Sequence, residues 1–298
     1  MRQKNLMASR RFSRDSSDLD IFIRFSQEPL SLEQWHRYFT HSLAFIPIGG
    51  LVVALFLLCF SQYRARWKLT IGSSLVGYAT HSLLDALTAY GTVLFWPWSD
   101  ARISWDIIAI IDPVFTLPLL LGTIWSVLYQ NQKAITVGLL FSGFFLIFNT
   151  VQHNRVLSGV HHYAAKKNLN LGSIRALPNL ASSTHWRVIA KQDSCLIIAA
   201  ARTPLWHPTT ITPITQALSF TEKMLPFKLS PGQKQDLKIF KWFTDGYLIV
   251  ANKEPFILAD ARYTMDYSPI ISLWGIQILP EQKHINKLSL PQINIHCN

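Results

Sequence analysis

Long apolar runs fill the first half of this chain, and short alternating segments fill the second. The apolar runs cover roughly 42–62, 69–88, 107–129 and 134–152. Crossing a hydrocarbon core of about 30 Å takes about 20 residues in a helix, and each run approaches or meets that length. The second is the least apolar, because Ser73, Ser74, Thr80, His81, Ser82 and Asp85 interrupt it. A buried helix of a soluble core is its competing reading. Trp67, Trp96, Trp98, Trp105 and Trp125 lie at or near the run ends, where an aromatic belt at a membrane surface places them. Beyond about 153 the period changes. Segments such as Trp186-Arg-Val-Ile-Ala, Cys195-Leu-Ile-Ile-Ala and Tyr247-Leu-Ile-Val-Ala are rich in β-branched and aromatic residues and bounded by Pro, Asn, Gly and Lys, which predicts strands. A helical piece near 153–168 is expected between the two patterns. The predicted fold is therefore an α-helical membrane domain of about four transmembrane helices followed by a mainly β soluble C-terminal domain. Its expected divisions are an N-terminal polar segment over 1–40, the membrane domain over 41–153 and the β domain over 154–298.

Composition agrees with a partly embedded chain. Of 298 residues, 49% are hydrophobic and only 15% charged, well under the usual quarter for a soluble protein. The net charge of +11 fits nucleic acid or an anionic lipid surface. The basic residues are scattered rather than set among aromatics in a nucleic-acid motif, so lipid is the expected partner and nucleic acid is not. Residues 1–20 are polar and Arg/Ser-rich without an apolar core, which departs from the usual cleavable signal pattern. The three cysteines, Cys59, Cys195 and Cys297, are widely spaced and form no CxxC. Neither a disulfide framework nor a cysteine zinc site is expected from them.

The stretch His81 to Pro113 carries the candidate chemistry. His81 and Asp85, one turn apart, share a helix face, and Thr88 continues it. Ionisable groups inside an apolar run are costly unless they meet a partner, a metal or a water-filled cavity. His41 opens the first run, His81 and Asp85 end the second, and Asp112 opens the third. A four-pass layout brings those positions to one face of the bilayer. The pattern fits either metal ligands or a hydrogen-bonded pair. Imidazole with carboxylate suits zinc, and an open position on the metal makes water nucleophilic near neutral pH. Asp20 and Asp112 read equally as helix N-caps, Asp112 preceding a proline favoured in the first helical turn. His36 would face away from His41 on a single continuous helix. Arg37 and Thr40 read as interface residues, although the planar fork of Arg37 suits a phosphate oxygen. Tyr90, Gly91 and Thr92 shape the loop. HExxH and GxSxG are both absent, which removes the usual zinc-protease and serine-hydrolase signatures.

The segments Asp18-Leu-Asp20, His36-Arg-Tyr-Phe-Thr-His-Ser42, His81-Ser-Leu-Leu-Asp-Ala-Leu-Thr-Ala-Tyr-Gly-Thr92, Trp96-Pro-Trp-Ser99 and Ile111-Asp-Pro113 resemble, in order, the YdjM-like membrane-bound metal-dependent hydrolases of bacteria. The likeness is strong over about 18–113 and weaker in the C-terminal half. It implies an inner-membrane protein and a hydrolase remotely similar to zinc-dependent phospholipase C. It also implies metal ligands at Asp20, His36, His41, His81, Asp85 and Asp112.

The expected function is a membrane-bound metal-dependent hydrolase that acts on a phosphoester or lipid-like substrate. Asp85 and Asp112 are the candidate catalytic carboxylates, Arg37 the phosphate contact and a zinc-like divalent ion the cofactor. Two rivals belong to other classes: a catalytically inactive membrane scaffold, and a small transporter with His81 and Asp85 as an ion or proton relay. Sidedness follows from the basic residues of short loops. Arg64, Arg66 and Lys68 mark the turn between runs one and two as cytoplasmic, which puts the site and the C-terminal domain on the periplasmic side of the inner membrane.

Overall fold

The computed structural model describes residues 28–265 and 270–297. They divide into two units, one spanning Trp35–Thr150 and the other formed by 28–34 with 151–297.

In the first unit the apolar runs fold as helices α1 (Ile46–Leu58), α2 (Trp67–Ala86), α3 (Pro113–Tyr129) and the start of α4 (Gln132–Lys166). Proline near the first position begins both α1 and α3, where its missing N–H costs nothing. Small residues let the helices meet closely. A Cβ at Gly49 would stand 2.4 Å from the Tyr78 ring of α2. Between α3 and α4 the contact is backbone to backbone, since a Cβ at Gly138 would lie 2.7 Å from the Pro118 carbonyl oxygen. Close approach at small residues is the packing that helices use where lipid removes the hydrophobic drive between them.

Four apolar runs do not give four helices that each qualify as a span on length and composition. Among the described residues only Gln132–Lys166 does so alone. Ile46–Leu58 is short at 13 residues and qualifies only together with Ser31–His41, across a bend of 86°. Pro113–Tyr129 is apolar and longer, at 17 residues, but it too falls short of a full span. The reason for α2 is more informative. Its polar residues Thr70, Ser73, Ser74, Ser82 and Asp85 are buried, while Leu69, Val76 and Leu83 are exposed. Most of its polar side chains face inward and several large apolar ones outward, with Lys68 and Thr80 the exposed polar exceptions, which is unlike a soluble amphipathic helix. On α3 and α4 the outward side chains are also apolar, with Leu128 69%, Leu140 70% and Ile147 68% exposed.

The 87–112 connection is ordered by pairing. Thr92 and Ile103 exchange backbone hydrogen bonds of 3.0 and 2.8 Å, and Thr88 bridges Ile108. Gly91 turns the chain at φ +72°, where a Cβ would also lie 2.7 Å from the Ile103 oxygen.

The second unit is mainly β, as the alternating pattern predicts. Strands β1 (Ile174–Pro178), β2 (His185–Gln192), β3 (Cys195–Arg202) and β4 (Thr210–Leu218) form an antiparallel meander in sequence order. Val156 and Val160 of α4 pack on its Ala176, Trp186, Val188, Ala199 and Ala201 face. A second sheet has the order β10-β9-β6-β5, built from β5 (Leu248–Lys253), β6 (Phe256–Asp260), β9 (Trp274–Ile278) and β10 (Asn286–Ser289). β7 (Thr264–Met265) and β8 (Ile271–Ser272) pair separately. Helix α5 (Pro231–Phe243) is an element the strand pattern missed. Its signals were present, in a Ser230/Gln233 capping box and in Leu237, Phe240 and Phe243 spaced along one face.

The cysteine expectation is corrected. Cys195 and Cys297 form a disulfide across a separation of 102 residues, and Cys59 alone is free. Spacing could not reveal this, because the C-terminal tail returns along β4. Cys297 donates its N–H to the Gln216 carbonyl at 2.9 Å, and His296 bridges Ala217, so Cys297 arrives beside the Cys195 end of β3.

Candidate metal centre

Between the one-turn helix Ser31–Trp35 and the 3₁₀ turn Phe39–His41 the helix is broken at Arg37, whose φ is +59°. This break replaces the continuous helix that would have turned His36 away from His41, and their ring centroids are 6.1 Å apart. Three contacts hold the turn in place. Tyr78 of α2 donates its hydroxyl to the Thr40 carbonyl at 2.8 Å. The Arg37 carbonyl accepts from the Val93 N–H and from the Thr92 hydroxyl, both at 3.1 Å.

His41 is thereby delivered, fully buried, to the α2 face that carries His81 and Asp85. His41 Nε2 and His81 Nε2 are 3.2 Å apart. Asp85 Oδ2 lies 3.2 Å from the first and 3.3 Å from the second. A tetrahedral zinc ion with ligand bonds of about 2.0–2.1 Å needs its ligand atoms about 3.3–3.4 Å apart, so the triangle has the size of one tetrahedral face. Asp85 Oδ2 is buried, with the two imidazole nitrogens and the Arg37 Nε at 3.2–3.3 Å around it. Burial of the carboxylate is offset by this ring of nitrogens. The donor set of two imidazoles and one carboxylate suits a zinc-like ion. His81 keeps 13% of its side chain exposed, which leaves the cluster open on that side.

The surroundings are arranged around the same atoms. The other nitrogen of His41, Nδ1, is 2.9 Å from the Thr40 hydroxyl, the kind of contact that fixes ring orientation in metal sites. Arg37 sets Nε 3.3 Å from Asp85 Oδ2 and donates from Nη1 to the Thr88 hydroxyl at 3.2 Å. Thr88 in turn donates to the Asp85 carbonyl at 2.8 Å. The Tyr90 ring lies beneath two guanidinium groups, Arg37 at 4.9 Å and Arg102 at 4.8 Å. Two guanidinium groups on one ring give this region a positive field that attracts anions.

Of the residues expected from sequence, His41, His81 and Asp85 come together. His36 stands one ring away, between His41 and Tyr90, and is not part of the group. Asp112 is the N-cap of α3. Its Oδ1 accepts from the Val114 and Phe115 N–H groups at 2.9 and 3.4 Å, while its buried Oδ2 has no hydrogen bond among the described residues. Asp20, with Asp18, lies outside the described residues. Sequence reasoning missed Tyr78 and Arg102. Tyr78 carried a signal, since it shares the helical face of His81 and Asp85 at spacings of three and seven. Arg102 had none, because a long loop conceals which ring it covers.

Residues 16–156 match the family model described as YdjM inner membrane protein. No curated protein and no solved structure matches the chain.

Proposed function

We propose, from the premise that residues 16–156 belong to the YdjM inner membrane protein family, that this chain is a metal-dependent hydrolase of phosphoesters at the membrane surface. The observation that carries the reading is the triangle of His41 Nε2, His81 Nε2 and Asp85 Oδ2 at 3.2–3.3 Å, buried and matched to a tetrahedral ion. These three residues hold the ion, and Asp20 and His36 are the proposed source of further ligands. When bound, a zinc-like ion polarises a phosphoryl oxygen and makes water a nucleophile near neutral pH. The chain's own residues then divide the remaining work. Thr40 keeps His41 in the tautomer that offers Nε2. Arg37, held by Asp85 and Thr88 and braced on Tyr90, offers its planar fork to a phosphate oxygen. Arg102 adds a second positive charge against the same ring. Asp112 is the carboxylate proposed for proton transfer, through its unbonded Oδ2.

The membrane arrangement proposed is four passes by α1 to α4 in the inner membrane. Outward apolar side chains on all four helices support it, and so does the inward polarity of α2. The site is proposed to face the periplasm, on the strength of Arg64, Arg66 and Lys68 in the opposite turn. For residues 151–297 the periplasmic side has its own support in the Cys195–Cys297 bond, since such bonds persist in oxidising compartments.

The test is metal analysis of protein purified without chelator, paired with hydrolysis of a generic phosphodiester and a phospholipid. A divalent transition metal with chelator-sensitive hydrolysis supports the reading. A metal-free wild-type protein overturns it.

A further inference from the structure

We infer that the loops 179–184 and 203–209 form a membrane anchor, with Trp206, Leu205 and Leu180 seated in the lipid interface where α4 leaves the bilayer. The inference rests on the passage of α4 through the membrane and on none of the metal chemistry.

In the β1–β4 meander these two loops lie at the same end of the sheet, because alternate connections of an antiparallel meander share an end. Both project large apolar side chains outward. Trp206 is 90% exposed, Leu180 67% and Leu205 52%. Neither loop contains a charged residue. Such a cluster is unusual on a surface that meets only water.

The loops are strapped to one short stretch of α4. Gln152 donates to the Ser183 and Thr203 carbonyls at 3.2 and 3.1 Å. Arg155 donates to the Pro204 and His207 carbonyls, both at 2.9 Å. The Thr203 and Thr209 hydroxyls close the loop base at 2.8 Å, and Thr209 also donates to the Arg155 carbonyl at 3.3 Å. Pro204 and Pro208 flank the tip and limit its freedom. The Leu-Trp tip is therefore held out by structure.

Position along α4 identifies what covers it. The helix carries no charged residue from Ala134 to Val151, and its side chains there are exposed and apolar, Leu140, Phe144, Ile147 and Val151 among them. Polar residues gather from Asn149 onward, and Arg155 is the first charge. The loops thus attach at the point where the lipid-facing part of α4 ends, within about one helical turn. Trp is the side chain most at home at that depth, and an apolar tip beside an Arg that binds carbonyls suits the headgroup boundary. Attachment at Gln152 and Arg155, directly after the exposed Val151, commits the occupant to lipid rather than a second protein.

The test uses the full chain in nanodiscs, with Cys59→Ser as background and the disulfide retained. Trp206→Cys, Leu180→Cys, Leu140→Cys and Lys253→Cys each carry a fluorophore. Quenching by headgroup-nitroxide lipid is compared with quenching by an aqueous nickel chelate. Leu180→Cys keeps Trp206, so the anchor remains present in at least one probe. Lipid quenching at 206 and 180 is expected to exceed aqueous quenching at least threefold, with the order reversed at the exposed Lys253. Aqueous quenching at 206 and 180, with Leu140 reached by lipid, overturns the anchor alone. Protection of 206 and 180 from both quenchers means a protein covers them and also overturns it. An aqueous Leu140 removes the span of α4 and the anchor together, leaving the metal reading untouched.

Discussion

His41 and His81 bring their Nε2 atoms within 3.2 Å of each other across 40 residues of chain. Two ring nitrogens meet this closely only if they share a proton or a cation, and Asp85 Oδ2 beside both supplies negative charge for the cation.

Purified protein should hold about one divalent transition metal per cluster, and His81→Ala or Asp85→Ala should remove it. Thr40→Val leaves all three ligand atoms in place but takes away the partner of His41 Nδ1. Its metal affinity should fall about 10–100-fold, the usual effect of losing such an orienting contact. Competition with a chromophoric chelator measures it. Unchanged affinity in Thr40→Val would show that the hydroxyl does not orient the ring.

Asp112 has two readings that one substitution separates. Asparagine caps a helix as well as aspartate does, so Asp112→Asn should keep stability, whereas Asp112→Ala should cost about 1 kcal/mol. If Oδ2 transfers a proton, Asp112→Asn should lose hydrolysis at least tenfold with metal content unchanged. Full activity in Asp112→Asn would leave this residue only its cap.

Breaking the Cys195–Cys297 bond reopens a loop closed over 102 residues. Cys297→Ser should lower stability by about 2–5 kcal/mol. The denaturant midpoint of wild type should fall to that of the variant when dithiothreitol is added. Equal midpoints with and without reductant would show that the bond does not form in the purified protein.

Arg262 and Asp260 are both buried and joined in a fork, with Nη2 to Oδ2 at 2.7 Å and Nε to Oδ1 at 3.0 Å. Burial pulls the Arg262 pKa down, but the Asp260 carboxylate more than reverses this and the net direction is upward. Arg262→Ala leaves a carboxylate buried without its cation and should cost about 3–5 kcal/mol. A double replacement of Asp260 and Arg262 by Leu should recover most of that, read from denaturant unfolding in detergent.

Sidedness has a direct readout. Cysteines introduced at Arg66 and at Gln282 should react with an impermeant maleimide from opposite faces of intact membrane vesicles. Reaction from the same face would break the four-pass arrangement.

The sequence by itself determined whatever depends on local spacing. The change of hydrophobic period near 153 separated helices from strands, because period 3.6 and period 2 are properties of neighbouring residues. His81 and Asp85 were legible as a pair because one helical turn places them together in any fold. Tertiary structure alone decided which partners arrive from elsewhere. His41 reaches the pair because left-handed backbone at Arg37 breaks the helix and Tyr78 pins the turn, and neither event has a local signature. Asp112 was readable as a cap or a ligand, and the approach of the Val114 and Phe115 N–H groups gave its Oδ1 to the cap. Cys195 and Cys297 meet because the tail lies along β4, a non-local pairing that spacing cannot express. Polar residues in α2 read as weak evidence for a span, yet the structure turns Thr70, Ser73, Ser74, Ser82 and Asp85 inward. A mean over the helix cannot distinguish an inward polar face from an outward one, and here that direction decides what α2 is for.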